Sequence, residues 1–317
     1  MPGPLAVAEE RYRSGVELSN ATERAAQRLW RRYIDARNLD ASFARLFPLL
    51  RELIVRAQLR GAEGSMRYLD RVLKAQGIDL APAGDVNPGA FAGWASDGRD
   101  LDGLLHSPVA STKQAIGDGM AVREALLRGQ FALRLIAATQ VADAARVADG
   151  VAIAATPGLG GYVRMLNLPS CARCAILAGK YYRWNQGFQR HPACDCRHIP
   201  ASEDVAGDLL TDPEKAVASG KVTGLTRADR QALAEGADLN QIVNAKRGIR
   251  SAGGRQFTIE GTTSRGIAGQ RLGDLKSVRG SRYRRSGVAR ITPEQIYRDA
   301  TSREDAIRLL RMHGYII

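Results

Sequence analysis

Apolar residues recur at helical spacing across residues 19–77. Ala26, Leu29, Trp30, Tyr33 and Ile34 fall at i, i+3, i+4, i+7 and i+8, which predicts an amphipathic helix. Its other face carries Arg24, Arg28, Arg31 and Arg32, which reads as a solvated surface. Asn20 with Glu23 is its expected capping box. A second helix is expected from Asp40, with Phe43, Leu46, Phe47, Leu50 and Ile54 on one side. Pro48 should kink it, because proline cannot donate to the carbonyl four residues back.

The period is lost over residues 84–110, where Asn87-Pro88-Gly89 is turn chemistry, so this stretch reads as a linker. Residues 111–155 are alanine-rich, and Val122, Leu126, Leu133, Ile136, Ala137 and Val141 form an interrupted helical stripe. Short strands are predicted at residues 162–166 and 180–184, the second ending in an Asn185-Gln186-Gly187 turn. Helices return after Pro200. Thr226 with Asp229 caps one and Gly236 closes it, and Asp238 caps the next, whose apolar edge is Leu239, Ile242 and Val243. Thr292-Pro293-Glu294-Gln295 and Thr301 with Glu304 announce two further helix starts, and Ala306, Ile307 and Leu310 form a last apolar face.

Helices followed by short strands, rather than alternating units, predict an α+β fold: a mostly helical chain with a small central sheet. The expected segments are a helical region at 1–83, a linker at 84–110, an α+β domain at 111–203, a helical hairpin at 204–248, a basic, flexible segment at 249–290 and terminal helices at 291–317. A chain of 317 residues fits two domains better than one, and 44% hydrophobic residues suffice for a core.

Charge changes the picture. The formal net charge is +13, which implies a polyanionic neighbour, nucleic acid being the first candidate. Residues 241–290 hold twelve Lys plus Arg against two acids. Their densest cluster, Arg279, Arg282, Arg284 and Arg285, suits phosphate contact with double-stranded DNA. The alternative is a solvated segment that orders against neighbouring subunits. The 226–248 helix pair reads as a compact hairpin, with a DNA-reading helix-turn-helix as the alternative. No secretory signal follows Met1, and no apolar run is long enough to span a bilayer, so no membrane partner is expected.

The chemistry concentrates in residues 171–200, which hold all four cysteines and two of the four histidines. Cys171 and Cys174 form a C-x2-C pair, and Cys194 and Cys196 a C-x-C pair flanked by His191 and His198. That spacing is close to a structural zinc site, which needs four S or N ligands in a tetrahedron. The first ligand set is the four cysteines; the second exchanges Cys196 for His191 or His198. If residues 194–199 are extended, Cys194, Cys196 and His198 share a face. Inert buried thiols and a redox C-x2-C are the alternatives, the latter weakened by the absence of a βαβ pattern around Cys171. Tyr181, Tyr182, Trp184 and Phe188 between the pairs are expected to bury the site, with base stacking as the sharper alternative.

Leu177-Ala178-Gly179, an aromatic turn, then His191-Pro192-Ala193-Cys194-Asp195-Cys196 closed by Pro200 resembles the signature of the phage Mu F-like minor head proteins, in the form found in phages of actinobacteria. Cysteines stand here where the common pattern has an upstream histidine, which favours metal. The resemblance implies a minor capsid, head-morphogenesis protein whose partners are portal, scaffold and major capsid proteins. It also implies a place in the virion head and, during assembly, in the host cytoplasm. Some relatives carry a capsid maturation protease label. A protease here would use Ser170 with His191, yet no nucleophile elbow or H-E-x-x-H marks an enzyme. A free-standing zinc-containing DNA-binding protein is the third reading.

Overall fold

A computed structural model of the chain describes residues 2–96, 100–185, 194, 196–245, 249–252, 255–260, 275–277, 284–291, 296 and 299–312. The chain divides into two compact units, residues 1–167 with 179–210, and residues 168–178 with 211–317.

The first unit is built on α1 (Pro4–Tyr33), α2 (Leu39–Ala62), α3 (Ser65–Ala75), α4 (Leu101–Gly117) and α5 (Val122–Ala154). The predicted stripes of α1 and α2 meet in one core, where Ala26, Trp30, Phe43, Leu46, Leu50 and Ile54 pack with Leu101, Leu105, Val109, Leu133 and Ala137. Leu46, Leu50 and Ile54 are fully buried, each worth about 1.5–3 kcal/mol relative to exposure. The arginines Arg24, Arg28, Arg31 and Arg32 are exposed, as their face predicted.

Three expectations about helix limits are corrected. α1 begins at Pro4, with proline in its first turn, so Asn20 lies inside the helix and caps nothing. Its first half buries only Val7 and Ala8, which leave little hydrophobic period to read. Asn38, not Asp40, caps α2, its side chain accepting from Ala41 N at 3.1 Å. The expected linker contains a short 3-10 turn, Pro88–Phe91, and then the start of α4, which is capped by Asp100 and carries a buried Pro108. Gly103 and Pro108 had disguised that helix. The helices before residue 84 and those beyond 111 therefore belong to one unit, because the apolar faces of α1 and α2 share one core with α4 and α5.

Against the bundle lies a three-stranded antiparallel sheet of β1 (Gly161–Met165), β3 (Tyr181–Arg183) and β4 (Arg197–Ala201), in the order β3-β1-β4. Every β1 residue is buried. Met165 and Ile199 pack on Val7, Ala8, Tyr68 and Val72 of α1 and α3. The α+β class, mostly helical with a small sheet, is what the sequence predicted.

The second unit contains β2 (Ser170–Cys171), α6 (Ala172–Ala178), α7 (Pro213–Ala218), β5 (Val222–Thr223), α8 (Arg227–Ala234) and α9 (Leu239–Ala245). The Thr226 and Asp229 capping box is present in both directions, and the Asp238 carboxylate accepts from Gln241 N at 2.8 Å. Ala232, Ile242, Ala245, Ile296 and Ala306 form the core of this unit. β2 pairs in parallel with β5, a contact between distant segments that no local pattern announced.

Of the basic segment, the described residues are strands. Strands β6 (Ile249–Ala252), β7 (Arg255–Glu260), β8 (Leu275–Ser277) and β9 (Arg284–Ile291) form an antiparallel sheet in the order β6-β7-β9-β8. Ladder hydrogen bonds join main chains whatever the side chains carry, so a stretch of low apolar content can form them; the rest of the expected flexible segment lies outside the described residues. The last helix, Arg303–Met312, starts after Ser302, whose hydroxyl accepts from Asp305 N at 3.2 Å, one residue later than the expected Thr301 cap. The expected cap at Thr292 lies outside the described residues. Among the described residues, no helix is long and apolar enough to cross a membrane.

Candidate metal centre

Three of the four cysteines come together. The sulfurs of Cys174, Cys194 and Cys196, all buried, lie within 4.8 Å of one another. Thiolates on a tetrahedral zinc at Zn–S distances of about 2.3 Å are about 3.8 Å apart. Closing this cluster onto an ion thus needs a contraction of about 1 Å or less. The spacing of the donors and their chemistry both fit a metal.

Cys171, of the first-choice set, is half-buried and outside that group. Its sulfur accepts from Cys174 N at 3.4 Å, the N–H···S bond expected of a C-x2-C turn. The alternative ligand His198 also lies outside the group. The extended segment begins only at Arg197, and the His198 ring packs on Tyr162, centroids 4.1 Å apart. His191, the other alternative, lies outside the described residues, as does Phe188. Of the remaining aromatics, Tyr182 is buried and stacks on Tyr162 at 5.4 Å, whereas Trp184 is 54% exposed. The expectation that these residues all cover the site is corrected for Trp184.

The residues that the sequence reading missed are arginines. Arg164 sits mid-β1 with 1% exposure. It donates from Nη2 to the sulfurs of Cys196 at 2.9 Å and Cys194 at 3.4 Å. A guanidinium donating to sulfur favours the thiolate, the form that binds metal, and offsets the negative charge of a thiolate-rich centre. Arg164 also reaches the Tyr182 hydroxyl, whose pKa burial pushes up and Arg164 pulls partly back.

Arg146, from α5, fixes the backbone of the C-x-C pair. Its Nη1 donates to Cys194 O at 2.8 Å and Cys196 O at 2.9 Å, while Nη2 pairs with Asp143 one turn earlier. Nearby, Asp149 accepts two bonds from Arg11, at 2.8 and 3.4 Å. Burial pushes the Asp149 carboxyl up despite that partner. Arg197 is wholly buried, and desolvation pulls its guanidinium down to about 10. A signal for these residues does exist in the sequence. Asp143, Arg146 and Asp149 recur every three residues on an otherwise alanine-rich helix, and Arg164 interrupts an apolar strand. Charges in such places are buried ones that require partners.

Ser170, the candidate nucleophile, is buried in β2, its carbonyl accepting from the Thr223 hydroxyl at 3.3 Å. Its candidate base, His191, lies outside the described residues. Of the candidate DNA contacts, Arg284 and Arg285 lie on β9, opposite Ser277 and Lys276 of β8, and Arg279 and Arg282 lie outside the described residues. Comparison with known proteins found no match to this chain among family models, curated proteins or solved structures.

Proposed function

We propose that the cysteine cluster holds one structural zinc and that the chain is a minor head protein of a tailed bacteriophage. In this reading it acts during procapsid assembly through contacts with portal, scaffold and major capsid subunits. It resides in the virion head and, before that, in the host cytoplasm. The observation that carries the reading is the fate of the His-Pro-x-Cys-x-Cys signature. Its two cysteines are buried, lie against a third, and have their carbonyls held by Arg146 and their sulfurs by Arg164. A thiolate-rich centre enclosed in this way serves a fold, whereas a catalytic zinc keeps an open position for water or substrate. The fourth ligand comes from Cys171 or from His191. The basic strands bearing Arg284 and Arg285 suit packaged double-stranded DNA, whose phosphates a +13 chain would neutralise without reading sequence.

The test is co-expression with the capsid, scaffold and portal proteins of the same genome, followed by intact-mass analysis of the particles. The expected outcome is particles that retain this chain while capsid and scaffold masses stay unchanged. A capsid or scaffold chain shortened only in its presence, with cleavage stopped by Ser170→Ala, would establish the maturation protease instead. Failure to enter particles, combined with salt-sensitive DNA binding by the free chain, would favour the zinc-containing DNA-binding protein.

A further inference from the structure

A small cavity in the first unit, of about 60 Å³, is lined by Arg11, Ser14 and Gly15 of α1, Arg60 near the end of α2, and Arg197 of β4. One water needs about 10–15 Å³ of such space, so the cavity has room for a few waters or one anion of a few heavy atoms. Its polar lining is cationic. The carboxylates nearby are already engaged, Asp149 with Arg11 and Asp143 with Arg146. Gly61 O in the last turn of α2 and Glu63 O just beyond it do not oppose an anion, because they accept from Arg11 at 2.9 and 3.1 Å.

Arg197 feels the attraction of Asp149, which it shares with Arg11, but makes no ion pair of its own. It is 2% exposed. Among the described residues its hydrogen bond is a long one, from Nη1 to Ala142 O at 3.3 Å, and Nε has no partner. No carboxylate of the described residues lies within ion-pair distance of it. Gly15 leaves the space in which its guanidinium ends, since a Cβ there would stand 2.0 Å from Nη2. A buried cation with one weak bond is costly, and a planar guanidinium facing a cavity is the usual partner of a small oxyanion or halide.

We propose that this cavity binds one small inorganic anion, held by Arg197 and Arg11 with the exposed Arg60 at its mouth, and that the anion completes the charge balance beneath β4. Binding to the folded state alone raises stability with ligand concentration.

The experiment uses the purified full chain in gluconate buffer, an anion too large for the cavity, replaced stepwise by chloride or by phosphate at constant ionic strength. Thermal unfolding is followed, with calorimetric titration of the same two anions. The expected result is a saturable rise in unfolding temperature, about 5 °C or more at a hundredfold excess over Kd, with one calorimetric site. Whichever anion gives the lower midpoint is the occupant. Arg197→Met should abolish the response and raise the unfolding temperature in gluconate. Should that variant not fold, Arg60→Gln, at an exposed position, carries the test and should move the midpoint about tenfold higher, the loss of one charged contact. An unfolding temperature that follows ionic strength alone means that the cavity holds only water and overturns the assignment. So does an anion response whose midpoint is the same in Arg60→Gln.

Discussion

Replacing Arg146 with methionine tests how the bundle supports the cysteines. Arg146 is 1% exposed, donates to the carbonyls of Cys194 and Cys196, and pairs with Asp143. Methionine fills much of the same volume but donates nothing. Each carbonyl left unsatisfied costs about 1–3 kcal/mol. Breaking a buried ion pair by removing one partner costs about 3–5 kcal/mol. These terms overlap, since one guanidinium serves all three acceptors, so about 4–7 kcal/mol is expected. That is a large part of the roughly 5–15 kcal/mol by which a domain is stable. Arg146→Lys keeps the charge but cannot span both carbonyls with a rigid fork, so it should lose about 1–3 kcal/mol, one carbonyl contact. The assay is urea unfolding of the purified chain together with zinc content per chain before and after chelator. With a zinc in the cluster as proposed, the methionine variant should lose it to chelator more readily than the wild type, because the C-x-C backbone is no longer held. If Arg146→Met lies within about 1 kcal/mol of the wild type and holds zinc equally well, the anchoring role of Arg146 is refuted, since a single one of these contacts is worth that much.

Two further outcomes follow from the same unit. Gly129→Ala should destabilise by about 1–2 kcal/mol in urea unfolding, although alanine favours helix by about 0.8–1.0 kcal/mol. The reason is that its Cβ would stand 2.0 Å from Thr112 Oγ1 and 2.9 Å from the Trp30 ring; a stabilised variant would show that α4 and α1 yield easily. The buried Asp149 carboxyl has a pKa above its ordinary value, so the folded state binds its proton more tightly than the unfolded state. Its contribution to stability is therefore greatest below the ordinary carboxylate pKa and falls as pH rises through the raised one. Asp149→Asn should remove that decline, seen as a difference between the two unfolding-temperature profiles over this pH range, and parallel profiles would contradict the assignment.

Most of the helical architecture could be read from the chain alone. Ala26, Leu29, Trp30, Tyr33 and Ile34 predicted a face, and that face is in the core. Thr226 with Asp229 predicted a capping box, and both of its bonds form. Such features are legible because they depend on residues three or four apart, a distance over which sequence and space are nearly the same thing. The first half of α1 and the part of α4 before residue 111 were not legible, since small residues, Gly103 and Pro108 break the period while tertiary packing holds the helix. The strands of the basic segment were hidden for a different reason: main-chain ladders leave a weak imprint on composition.

The cysteine cluster divides in the same way. By itself the sequence determined that thiols at 171, 174, 194 and 196 were the chemistry worth following, because C-x2-C and C-x-C spacing constrains each pair locally. Only the tertiary structure decided that Cys174 joins Cys194 and Cys196, that His198 turns instead to Tyr162, and that Arg164 and Arg146 complete the surroundings. The physical reason is burial. A charge enclosed by protein must find a partner, and that partner is supplied by segments distant in sequence, brought near only by the packing of apolar faces that carry no record of the polar groups they enclose.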